Sequence, residues 1–256
     1  MQSERIIWVK IMNEQHINNN ERVDYLFDTD LKIIQSSDLF PFSLDSVLLA
    51  RFVYVPIQRG RLVDLCAGNG VISFLLSART KGKLTGVEIQ PEVCALAERG
   101  ALLNHLEERV DFLCEDAKHI DEKIGRGTCD VVTCNPPYFT IDAARDMKIN
   151  RHLAIARHEL LIKLADVLAV SARLLKPGGK LALVHRPERL VDILEGMRAE
   201  GIEPKKMQFV HPHRHKPANM VLVEGTKGGR PGLAALTPIV VYHPDGRYTE
   251  DVWPHS

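Results

Sequence analysis

From residue 61 onward the chain alternates short, β-rich apolar runs with longer stretches of helical periodicity. RLVDLC precedes VISFLLSART, and LTGVE precedes PEVCALAERGALLNHL; VDFLC and CDVVTC follow, and HLAIARHELLIKLADVLAVSARLL leads into KLALVHR. Strands alternating with helices predict an α/β fold built on a doubly wound, mostly parallel sheet of about seven strands. Two further apolar runs, KKMQFV (205–210) and NMVLVE (219–224), are separated only by HPHRHKPA. A parallel pair needs a longer crossover, so these two predict a C-terminal antiparallel hairpin. Pro91 stands where a first helical turn tolerates proline, and KPGG (176–179) predicts a helix end followed by a turn into the next strand.

The flanks break this alternation. Residues 1–60 hold a polar stretch, NEQHINNNERVDY, an apolar element, LKIIQS, and FPFSLDSVLLARFVYV, whose second half has helical character. They predict an N-terminal extension packed on a core of residues 61–225. Residues 226–256 form a tail in which KGGRPG is a basic turn and PIVVYHPDGRYTEDV reads as two short extended runs about a P-D-G turn.

Composition narrows the picture. With 256 residues and 45% hydrophobic content the chain suits one large soluble domain. Lys plus Arg and Asp plus Glu both number 33, so no global field draws it to a polyanion, and any nucleic-acid binding must come from a local patch. Its five cysteines include no C-x-x-C pair and read as reduced core residues. Nothing resembles a signal peptide, and no apolar run approaches the ~18 residues of a membrane span, which predicts a cytoplasmic protein without membrane contact.

The chemistry gathers at strand ends. DLCAGNG (64–70) closes the first core strand with Asp64 and opens a helix with Gly68 and Gly70, leaving little bulk where a ligand could approach. The strict dinucleotide pattern G-x-G-x-x-G is absent, which disfavours a nicotinamide cofactor. Glu88 ends the second core strand, where an acidic side chain can accept from ribose hydroxyls, Asp116 follows the third, and Asn135 opens NPPY after the fourth. Each alone is unremarkable. Together they point to one crevice outside the carboxyl ends of the strands.

D-x-C-A-G-N-G, Glu88, C-E-D (114–116), N-P-P-Y and L-K-P-G-G together resemble a class I S-adenosylmethionine-dependent methyltransferase of the amino-methylating kind. FPFSLDSVLLA, R-H-E (157–159) and KGGRPG are further similar to the bacterial tRNA(Val) adenine-N6 methyltransferase family, which modifies the adenosine beside the anticodon. The resemblance implies that Asp64, Gly68, Asn69 and Gly70 surround the methionine part of S-adenosylmethionine. It also implies that Glu88 and Ile89 hold the ribose, that Asp116 and Ala117 lie against the adenine, and that Asp45 borders the cofactor. Asn135 and the Pro136 carbonyl would receive the target amine, Pro137 would stiffen them, and Tyr138 would stack on the base. Cys66 stands where the family commonly has glycine.

That assignment has a physical rationale. An amine conjugated to a purine is a poor nucleophile; two acceptors on its N–H groups favour a pyramidal nitrogen and stabilise the charge that develops on attack. The same grip suits a glutamine amide, so a protein methyltransferase acting on release factors is an alternative, and a non-catalytic cofactor-binding module is another. Lys205, Lys206, Arg214 and Lys216 in or beside the hairpin, with Lys227 and Arg230 following it in KGGRPG, predict a basic surface for tRNA phosphates next to the NPPY crevice. His211, His213 and His215 alternate, but no Cys or carboxylate cluster supports a metal site and none is expected. Arg157, His158 and Glu159 are substrate-facing by resemblance alone; Trp8 and Trp253 read as packing residues.

Overall fold

The computed structural model describes residues 17–26, 29–39, 42–136 and 162–252. Pro137, Tyr138, Arg157, His158, Glu159, Trp8 and Trp253 lie outside the described residues.

In chain order the elements are β1 (Glu21–Tyr25), β2 (Lys32–Ser36), α1 (Leu44–Phe52), β3 (Arg61–Leu65), α2 (Val71–Ser77), β4 (Lys83–Glu88), α3 (Pro91–Leu103), β5 (Val110–Cys114), α4 (Asp121–Ile124) and β6 (Cys129–Cys134). They continue with α5 (Leu164–Leu174), β7 (Leu175–His185), α6 (Leu190–Ala199), β8 (Ile202–His211), β9 (Met220–Lys227), β10 (Ala234–Ala235) and β11 (Ile239–Val240). The main sheet runs β10-β8-β9-β7-β6-β3-β4-β5, with β11 also on β8. Pairing is parallel from β5 to β7, while β9 is antiparallel to both β7 and β8. The expected hairpin is therefore present, and its second strand inserts beside β7 and leaves β8 at the edge.

Both faces of the sheet are covered, as a mainly parallel sheet requires. One apolar cluster takes Val47 and Leu48 of α1, Val71 and Phe74 of α2 and Ala97 of α3; the other takes Val167 and Leu168 of α5 with Ile193 and Met197 of α6. Phe74 and Phe112 meet edge to face at 5.7 Å beneath the first of these layers.

KPGG is not a turn preceding a strand. β7 already pairs at Leu175 with Cys129, and the register shifts before Lys180 meets Val131, so the motif is an irregularity within the strand. The cysteine reading also needs correction. Cys94, Cys129 and Cys134 are buried, but Cys66 is half-buried on a loop and Cys114 is exposed.

The polar stretch of the N-terminal flank supplies β1, which pairs with β2 in an antiparallel hairpin. Its exposed and half-buried positions show why the sequence pattern concealed it. The hairpin docks on α3: Arg99 gives two 2.7 Å hydrogen bonds to the Glu21 carboxylate, and Asn104 exchanges two 2.7 Å bonds with the Lys32 backbone. The tail lies along β8 through β10 and β11, both parallel to it, and so covers the backbone groups of an edge strand. Beyond it a turn at His243–Arg247 brings Tyr242 opposite Tyr248.

The Arg99 hydrogen bonds hold the Glu21 carboxyl near pH 2, well below its ordinary 4.5, against the opposing effect of burial. A depressed carboxylate stabilises the fold above the unfolded value and loses that contribution as pH falls through the folded one. Thermal melting between pH 5 and pH 3 should therefore fall more steeply in the native chain than in Arg99→Met. At neutral pH that variant should lose about 1–3 kcal/mol, and equal acid slopes would show that the pair does not hold the hairpin.

Candidate functional site

The topological switch point lies between β3 and β6, where the chain departs to opposite sides of the sheet. Leu65 pairs with both Val87 and Cys134, and Glu88 pairs with Cys114, so the four strands end level with one another. Cys66, Glu88, Asp116 and Asn135 thus stand at one edge. Neighbouring strands are ~4.8 Å apart, which sets Asp116 roughly 14 Å from Asn135 along that edge.

The loop after β3 is shaped by backbone constraints. Cys66 has φ 57°, in the left-handed region that favours glycine, and Gly68 has the same φ. That conformation explains why glycine suits position 66, and Cys66 bears the steric cost. Gly70 has φ 94°, and a Cβ there would stand 2.8 Å from Phe112 Cζ and 2.9 Å from Phe74 Cζ. Its smallness seats the loop on the aromatic pair. A Cβ on Gly68 would meet nothing within 4 Å, so the loop presents open space there.

Asp64 is 2% exposed, and its carboxylate accepts from Thr133 Oγ1 at 2.8 Å and Ser73 Oγ at 3.2 Å. Burial pushes its carboxyl pKa up from 3.8 to about 7, although both hydroxyls oppose the rise and neighbouring Glu88 adds to it. Glu88 is also buried; its two oxygens accept from the Gly68 and Gln90 amides, each at 3.0 Å. Burial raises this carboxyl too, against those donors. Each carboxylate oxygen retains further acceptor capacity.

Asp116 caps the short 3₁₀ turn Ala117–His119 by accepting from the Lys118 amide at 2.9 Å. Its side chain remains 38% exposed, whereas Ala117 is buried and Ile89 half-buried. Asn69 points away from the loop and donates to Ile34 O of β2 at 3.1 Å. Asp45 is buried in the first turn of α1 and accepts from Ser43 Oγ. Asn135 is half-buried, its Nδ2 donates to Ser46 Oγ of α1 at 2.9 Å, and Pro136 beside it is buried.

Sequence reasoning thus located the strand-end residues but missed Ser46, Thr133 and Ser73. Thr133 had one usable signal: a hydroxyl two residues before Asn135 in a strand whose neighbouring residues Val131, Val132 and Cys134 are apolar. Nothing local marked Ser46, which meets Asn135 across 89 residues of chain.

A family model described as the methyltransferase small domain matches residues 43–195, more than half of the chain. The chain belongs to that family. This methyltransferase small domain protein is 29% identical over 195 residues to the tRNA1(Val) (adenine(37)-N6)-methyltransferase of Parabacteroides distasonis, covering 75% of this chain and 78% of that one. It is 28% identical over 157 residues to the protein of the same name from Shewanella halifaxensis, covering 61% and 62%. Among solved structures, a predicted O-methyltransferase from Agrobacterium tumefaciens superposes with TM-score 0.65 at 21% identity, over 81% of this chain and 94% of the other. A geranyl diphosphate methyltransferase in complex with SAM gives TM-score 0.55 at 15% identity, over 71% and 84%. Both likenesses are of fold.

The protein is a Rossmann-like, S-adenosylmethionine-dependent methyltransferase. Its own groups suit that cofactor: open space beside Gly68, and carboxylates at the ends of β4 and β5 for hydroxyl and amine donors.

Because the folded Asp64 carboxyl titrates near 7 and the unfolded one near 3.8, the folded state retains a proton that unfolding releases. That contribution is full below the unfolded value and lost as pH rises through the folded one. The melting midpoint of the native chain should therefore decline between pH 5 and pH 8 more steeply than that of Asp64→Asn. Identical slopes would mean that Asp64 does not titrate in that range.

Proposed function

We propose that this methyltransferase transfers a methyl group to the N6 amine of adenosine in tRNA, at the adenosine adjacent to the anticodon of tRNA(Val). The observation carrying the reading is Asn135, directly after β6 and beside the switch-point loop, in a chain whose relatives bear the tRNA1(Val) adenine-N6 name.

Asp64, Gly68, Asn69 and Gly70 bound the methionine side of the cofactor, Asp64 and Asn69 through the hydrogen bonds that hold the loop. Glu88 and Ile89 take the ribose, Asp116 and Ala117 the adenine, and Asp45 borders the pocket from α1. S-adenosylmethionine held there would supply an activated methyl group for the adenine nitrogen, and the N–H proton given up by that nitrogen would pass to solvent.

Asn135 Oδ1 and the Pro136 carbonyl each accept one N–H of the target amine. This localises the lone pair and stabilises the developing positive charge without a strong base. The proline ring fixes the backbone that carries the second acceptor. A glutamine amide could be gripped similarly, but the described part of the N-terminal flank is a β-hairpin followed by a helix, with no helical bundle.

The tRNA contact is narrower than the whole basic hairpin. Lys205 donates to Arg230 O at 3.1 Å, Lys206 to Phe52 O at 2.7 Å, and Lys227 to Glu200 O at 2.6 Å. Ile202 pairs with Lys227 and Val210 with Met220, so Lys227 and Arg230 sit at the sheet edge opposite the β8–β9 turn. Their expected place next to the NPPY crevice is thereby corrected. Arg214, His215 and Lys216 are exposed on the turn itself, and His185 pairs with Val221, which puts that turn at the same edge as Asn135. Two to three strand spacings, roughly 10–14 Å, separate them.

Labelled S-adenosylmethionine, incubated with RNA from cells lacking the gene, should yield labelled N6-methyladenosine on nucleoside mass spectrometry, whereas label confined to protein would overturn the reading. In that assay Asn135→Ala should lower turnover by about two orders of magnitude, the scale for losing one preorganised contact to developing charge. Cofactor affinity should change little.

Replacing Arg214 and Lys216 together by Glu should weaken RNA binding and make log K against log salt shallower, by about 0.7 for each lost phosphate contact to single-stranded RNA. Cofactor binding should hold. An unchanged salt slope with intact affinity would remove this turn from the RNA surface.

A further inference from the structure

A side-chain amide presents an acceptor on one side and two donors on the other, and half a turn about its last torsion exchanges them. Only the carbonyl can receive an N–H of a target amine; the NH₂ group would meet it donor to donor. Asn135 therefore needs its side chain held in place. Asn135 Nδ2 donates to Ser46 Oγ at 2.9 Å, a contact made by helix α1 and not by the strand-end loops that carry the other site residues.

Helix α1 is held firmly enough to serve as a reference. Val47, Leu48 and Leu49 are buried in the core. At its far end Arg79 donates to Ala50 O and, at 3.0 Å, to Val53 O, while Lys206 donates to Phe52 O at 2.7 Å. Cations on the carbonyls at a helix C-terminus are favourable to the helix dipole as well as to those hydrogen bonds. Just beyond, the Tyr54 amide donates to Glu224 Oε2 at 2.7 Å, tying the segment to β9. Ser46, in the first turn of the helix, thus stands at a fixed place beside the end of β6.

We infer that Ser46 is a positioning residue for amine transfer: its hydroxyl accepts from Nδ2 of Asn135 and so restrains where that amide's carbonyl lies relative to the target nitrogen. The inference rests on the proposed role of Asn135 as amine acceptor. It adds a residue from outside the NPPY motif whose work is orientation, with no contact to substrate or cofactor. An orienting hydrogen bond matters because displacement of a reacting group by about 1 Å can cost roughly a hundredfold in rate.

The test joins kinetics to a measurement that needs no substrate. In Ser46→Ala, kcat should fall about 10- to 100-fold while cofactor Kd stays within about twofold, and Ser46→Thr, which keeps the hydroxyl, should recover most of the loss. The double variant Ser46→Ala/Asn135→Ala should be no slower than Asn135→Ala, because Ser46 acts through Asn135. The side-chain amide resonances of Asn135, assigned by their loss in Asn135→Ala, should move in Ser46→Ala and stay near their native positions in Ser46→Thr. A native kcat in folded Ser46→Ala, multiplicative losses in the double variant, or unmoved amide resonances would each overturn the inference. If the native chain methylates no adenine, the proposed substrate fails instead, and the amide resonances still decide whether Ser46 holds Asn135.

Discussion

The site depends on one buried carboxylate. Asp64 accepts from Thr133 on β6 and from Ser73 on α2, so a single side chain joins the strand before the cofactor loop, the strand before Asn135 and the helix that follows the loop. Ionised carboxylates are expensive to bury, and two hydroxyl donors offset only part of that expense, which is why the group holds its proton to an unusually high pH. What the arrangement secures is relative position. The loop and Asn135 follow adjacent strands in register, Asp64 opposite Thr133, and the tie keeps them there.

Support for the loop comes from below and from the side as well. Phe74 and Phe112 form the floor on which Gly70 rests, and Asn69 fastens the loop to β2 of the N-terminal hairpin. That hairpin is itself clamped to α3 through Glu21 and Arg99. The N-terminal flank is thus part of the loop's support, because its contacts reach the loop through Ile34.

The strand ends were legible in the sequence because a parallel sheet writes them locally: each apolar run stops, and the next polar residue faces the crevice. Glu88 and Asn135 could be found that way, and Asp116 one residue further on, whereas Asp64 lies inside β3 one residue before its end. Strand β1 could not, since ERVDY packs only partly and lacks the apolar alternation of a half-buried strand. Ser46 and the partition of the hairpin cations were hidden for another reason. Whether Lys206 meets a phosphate or the Phe52 carbonyl is decided by tertiary packing, and charge along the sequence is the same in both cases.

Those internal contacts also change what the basic hairpin is for. Lys206 bonds to Phe52 O and pairs with Glu224 at 3.3 Å, while Glu224 also receives the Tyr54 amide. Strands β8 and β9 are therefore bolted to the C-terminal end of α1, the helix whose first turn carries Asp45 and Ser46. The exposed turn between those strands extends from the same body that contacts Asn135. A phosphate held at Arg214 or Lys216 would consequently be referenced to the amine-accepting end of β6 through α1 and the sheet, with no mobile linker between them. In this reading the half-buried Lys206 supplies rigidity and the exposed residues supply affinity, so the two groups of cations in one hairpin do different work.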